Sequence, residues 1–214
     1  MSRTTGLAVA MGFLVATSAV AQEKEAPKVD EKAGTVSFSA KAANNDKYEQ
    51  LKGAIEFVIV MTGGKEYESC FVAPVDALKL HEGLKKIGAK PGKPAPDEKT
   101  PATGGKLKIS VKWKDGDKEI AHPIEKFVLD EETKKPMENV QWLYQGSKEG
   151  FVPETGDMGL IVQSTKNLMG LYQGESAPLI TNPLPLMTGH RYKVNKALLP
   201  KEGTAVTIVM EAVK

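Results

Sequence analysis

The hydrophobic pattern is clearest between Leu107 and Trp113. There Leu107, Ile109, Val111 and Trp113 alternate with Lys106, Lys108, Ser110 and Lys112. A period of two belongs to a strand with one buried face. Asp115-Gly116 follows as a strong turn signal. Residues 106–125 are therefore expected to form a hairpin with Val111 opposite Ile120, Ile109 opposite His122 and Leu107 opposite Ile124. On the other face Lys112 meets Glu119 and Lys106 meets Glu125. Pro123 has no N–H for a ladder, which makes the second strand an edge or bulged there.

A second hairpin is expected upstream. Ile55, Phe57, Ile59 and Met61 share one face and Glu56, Val58 and Val60 the other, the two-sided apolar pattern of a central strand. Gly63-Gly64 suits a type I′ turn, whose two central residues need positive φ. The resulting register sets Ile59 opposite Glu68 and Phe57 opposite Cys70. The period then changes. Ala77, Leu80, Leu84 and Ile87 recur at helical spacing, Asp76 stands at the start, Lys85 and Lys86 at the end, and Gly88 just beyond. His81 lies at the edge of that stripe.

Shorter strands are expected at Thr35–Ala40, Phe127–Leu129, Val140–Tyr144, Met158–Gln163 and Thr204–Val213. Residues 89–105, rich in proline and glycine, read as an exposed loop. Together the elements predict an α+β, β-rich domain: an antiparallel sheet or sandwich with one main helix packed on it, spanning 34–214 as a single unit.

The first 33 residues carry a different signal. Arg3, the apolar run Leu7–Ala16 and Ala19-Val20-Ala21 have the layout of a secretory signal peptide over 1–21, cleaved at Ala21. Residues 22–33 read as a flexible leader. Export leaves 193 of 214 residues and lowers the formal charge from +2 to +1, because Arg3 goes and no acid does. Near-neutral charge argues against nucleic acid as a partner. Arg191 is the only arginine after the signal, which weakens a strongly anionic-ligand reading. No transmembrane segment is expected in the mature chain. The single cysteine, Cys70, excludes an internal disulfide and leaves a buried thiol or an intermolecular partner.

The stretch KEYESCFVAPVDALKLHEGLKKIGAKPG resembles the signature of the YdjY-domain family of bacterial exported proteins: an acid-bearing strand (Glu68), a helix with a histidine near its middle (His81), and a Gly-x-x-Pro-Gly exit at Gly88–Gly92. The resemblance continues through KISVKW and its Asp-Gly turn, the run from Trp142 to Ser147, and Leu199–Val206, so it covers about residues 34–213. The family typically has a histidine directly before the acid, where this chain has Tyr67. The resemblance implies an exported protein and a fold, not a reaction.

Candidate chemistry is sparse. There is no G-x-S-x-G, no P-loop around Gly63-Gly64-Lys65, and no ligand spacing among Cys70, Glu68, His81, His122 and His190. Trp113, Trp142 and Tyr144 line either a core or a groove. Glu68 and His81 are expected to meet between helix and sheet, as a structural clamp or as a small-ligand pocket in which Cys70 takes part. Such a pair would raise the histidine's pKa. The sequence thus reads as an exported cell-envelope protein, a non-enzymatic binding or accessory module with an unidentified protein or small-molecule partner and no cofactor. The alternative is a metal-binding protein or enzyme using Glu68 and His81.

Overall fold

The computed structural model describes residues 24–43, 47–97, 100–174, 177–183 and 191–213. The expected signal peptide and His190 lie outside them. In chain order the strands are β1 (Lys28–Asp30), β2 (Thr35–Ala42), β3 (Phe57–Met61), β4 (Ser69–Ala73), β5 (Gly105–Asp115), β6 (Lys118–Pro123), β7 (Val128–Asp130), β8 (Lys135–Pro136), β9 (Trp142–Tyr144), β10 (Glu149–Val152), β11 (Asp157–Leu160), β12 (Asn167–Gly170), β13 (Ile180–Thr181), β14 (Tyr192–Val194) and β15 (Ala205–Ala212). The helices are α1 (Ala77–Lys86) and α2 (Val162–Thr165).

These strands overturn the expected architecture. Neighbours run β2-β15-β5-β9-β13-β12-β3-β4, and β4 pairs back onto β2 through Val72–Lys41 and Phe71–Ala42. The result is a closed eight-stranded barrel, not an open sheet or sandwich with a helix on its face. Alternation along a strand reports which side is buried. It is silent on whether the last strand meets the first.

Eight strands enclose a space that side chains can fill. Val36 of β2, Leu107 and Val111 of β5, Trp142 and Tyr144 of β9, and Ile208 and Met210 of β15 all point inward with no exposed surface. β3 is buried at every position, as a two-sided apolar strand should be.

The first hairpin is also corrected. β3 and β4 are parallel, with Phe57 beside Ser69 and Ile59 beside Phe71. Parallel neighbours usually need a crossover of a dozen or more residues; here only residues 62–68 make it. Gly63 has φ +77°, but Gly64 is not in the positive region, so no type I′ turn forms. The chain turns back over β3 instead, bringing Lys65 Nζ to 5.7 Å from the Phe57 ring. The short helical turn Glu66–Glu68 then leads into β4.

The downstream hairpin forms with its register moved by two residues. Val111 faces His122, Trp113 faces Ile120 and Asp115 faces Lys118, which makes Gly116-Asp117 the turn. Gly116 has φ +60° and Asp117 does not share it, the pattern of a turn with glycine in its first central position. A shift of two keeps every side chain on its expected face, so the alternation could not separate the two registers. Among the described residues β6 pairs only with β5, as an edge strand, in keeping with Pro123. The leader expected over 22–33 contains β1, which pairs with β2.

The two barrel ends are covered differently. One end gathers the starts of β2 and β5 and the ends of β4, β9 and β15, as Glu211 opposite Thr35 and Tyr144 opposite Gly105 show. Helix α1 leaves β4 there, with Asp76 as its cap accepting from Leu78 N at 2.9 Å and Lys79 N at 3.0 Å. It buries Ala77, Leu80 and Leu84 across the opening. A Cβ on Gly83 would lie 3.0 Å from Val29 Cγ2 and 3.5 Å from Val36 Cγ2, so glycine lets the helix approach β1 and β2 closely. The other end is covered by a three-stranded sheet ordered β14-β7-β8. Phe127, just before β7, sits 5.1 Å edge-on to Phe71.

Candidate functional site

The structure separates the residues that the sequence joined. Glu68 ends the helical turn before β4, beside the start of β3, and its nearest cation is Lys65 at 3.3 Å. His81 lies on α1 at the opposite end of the barrel, bonded to Tyr144: Nδ1 is 2.7 Å from the hydroxyl, which also lies 3.0 Å from the His81 carbonyl oxygen. With the proton on Nδ1, the ring donates to the hydroxyl and the hydroxyl donates to that oxygen. Burial, and then the nearby Lys85, hold the imidazole below its usual pKa, opposite to the rise expected from a Glu68 pair. Cys70 is fully buried with Sγ 3.7 Å from the Phe127 carbonyl oxygen, and burial pushes the thiol far up. Glu68 precedes β4 and α1 follows it, so the length of that strand separates Glu68 from His81. Among the described residues no three His, Cys, Asp or Glu side chains gather as a metal would need. Trp142 and Tyr144 are core; Trp113 is half-buried and lies 5.7 Å from the His122 ring.

Another site emerges at a gap in the barrel wall. β5 is longer than either neighbour on one side. β6 covers it from Asp115 down to Ser110, and β9 covers it from Leu107 to Gly105. Among the described residues no strand pairs with 108–109 on that side. Ladder bonds alternate in direction along an antiparallel strand. Asp115 and Lys118 close the hairpin turn, so Val111 bonds toward β6, and the N–H and C=O of Ile109 point into the gap. Pro123 ends β6, and the chain dives inward as the helical turn Ile124–Phe127.

That turn carries Glu125 into the gap. It was expected on a strand opposite Lys106; instead it is 7% exposed. Its Oε2 accepts a long bond of 3.5 Å from Trp142 Nε1. Over it lies a cleft of about 490 Å³, lined by Glu125, His122 and Ile109, by Asn139 to Gln141, and by Val209 and Glu211 of β15. The His122 ring is held by aromatic neighbours, at 5.7 Å from Trp113 and 6.4 Å from Phe127.

The chain matches the YdjY domain over residues 28–211, most of its length. It belongs to the YdjY-domain family. No curated protein and no solved structure matches it. Among the described residues of this YdjY domain, no helix is long and apolar enough to cross a membrane.

The YdjY domain thus offers a rigid frame with one buried carboxylate, one imidazole and a free stretch of backbone around an open cleft. Such a set can recognise a ligand by hydrogen bonds and charge. The sequence offers His122 as one of five scattered candidate ligands and Glu125 only as a strand residue opposite Lys106, with nothing to join the two in a site. The available signal was Pro123, which marks where the strand must stop pairing.

Proposed function

We propose that this YdjY domain is an exported, non-enzymatic binding module of the cell envelope, with the cleft at the β6–β9 gap as its ligand site. The observation that carries the reading is the gap itself. A barrel whose inward positions are filled has to bind on its outside, and Ile109 offers main-chain groups there that a ligand can take up. The signal-peptide layout of residues 1–21 supports export.

Two measurements test this. Mass spectrometry of the fractionated protein is expected to give a mature N-terminus at Gln22; retention of Ser2 would refute cleavage at Ala21. Screening a fragment set against 15N-labelled protein is expected to move amide resonances around 108–110, 121–125 and 139–141. Shifts confined to the surroundings of His81 or Glu68 would rule out the cleft as the site.

A further inference from the structure

We infer that this cleft receives a primary ammonium group on an alkyl stem, as carried by a lysine side chain or a diamine, with Glu125 taking the charge. The inference rests on the proposed binding role and names its ligand chemistry.

Glu125 is the starting point. A carboxylate this deeply buried is costly unless a cation or several donors satisfy it. Here the one bond among the described residues is the long one from Trp142 Nε1. No lysine, arginine or histidine nitrogen among the described residues comes within the 4.0 Å of an ion pair. The adjacent Lys126 turns away to pair with Glu138. Among the described residues, then, a carboxylate sits at the floor of an open cleft without a counter-ion.

The rest of the lining suits an ammonium. Such a group has three donors and no acceptor. The carbonyl oxygen of Ile109 points into the gap, and Asn139 and Gln141 line the same cleft as Glu125. Higher in the cleft, Ala121, Pro123, Val140 and Val209 give apolar walls for methylene groups, which long amines bury readily. Glu211 adds a second negative charge at the rim; Lys108 stands directly opposite it in the β15–β5 ladder and offsets it. An anionic ligand would meet Glu125 unshielded.

Trp142 provides the reporter, since its indole N–H bonds the same carboxylate. A 15N-labelled sample is titrated with N-acetylcadaverine and with its neutral isostere N-hexylacetamide. The amine is expected to move the Trp142 indole resonance saturably, and the isostere to bind at least about tenfold more weakly, the worth of one charged hydrogen bond. Glu125→Gln keeps an acceptor for Trp142 and is expected to bring the amine down to the isostere's affinity. Val209→Trp leaves Glu125 untouched, fills the mouth of the cleft and is expected to abolish binding. It serves as the test if Glu125→Gln fails to fold.

Nα-acetyl-lysine N-methylamide separates the sources: tighter binding than N-acetylcadaverine assigns a peptide lysine, and equal or weaker binding a small free amine. No shift with the amine, or undiminished binding in either variant, overturns the inference. If the isostere moves the cleft amides as strongly as the amine does, the charge inference falls while the cleft stands as a binding site.

Discussion

Single side chains set the chemistry of the closed end. His81 is held neutral by burial and by Lys85, with Tyr144 as its partner. A histidine whose pKa is lower in the folded state binds fewer protons there than in the unfolded chain between the two values. Its contribution is therefore fully present above the ordinary value of 6.5 and is lost as pH falls from there through the lowered folded value. The urea midpoint of the native protein is expected to drop between pH 7.5 and pH 5.5. His81→Gln should flatten that slope while lowering stability at pH 7.5, because the Tyr144 hydroxyl loses a partner. An unchanged slope would show that His81 does not titrate against folding.

Elements show how far the sequence could be read. The existence of the β5–β6 hairpin was legible from its alternation, Gly116 and Pro123, while its turn lies one residue beyond the expected Asp115-Gly116; α1 was legible from its stripe, Asp76 and Gly88. Glycine at position 116 is required by its positive φ, which a β-branched residue resists. Gly116→Val is expected to cost about 1–3 kcal/mol by urea unfolding; no loss would remove the turn geometry. What stayed hidden were matters of long-range pairing. A two-residue slip leaves every face unchanged. The parallel return of β4 depends on residues 62–68 folding over β3, and no local propensity encodes that. The ligand cleft was illegible for the same reason: it exists only because β6 stops at Pro123 and β9 starts at Trp142 on one shared neighbour.

At the scale of the whole molecule, barrel closure governs stability. β15 lies between β2 and β5, and its seven paired positions with β2 run from Ala205–Lys41 to Glu211–Thr35. Thr207 points outward, so Thr207→Pro leaves the core side chains in place while breaking the ladder. The expected cost is about 3 kcal/mol or more, together with light scattering from the two strand edges it exposes. An unaltered midpoint would mean that closure at β15 contributes little.

The position of that strand also has a consequence in time. Phe38 waits for Ile208, its partner 170 residues later. At about 5–20 residues per second, a chain emerging from the ribosome holds the edge of β2 open for roughly 10–30 s. Until then the barrel cannot close, and whatever attends the nascent chain meets a long thread with an open seam.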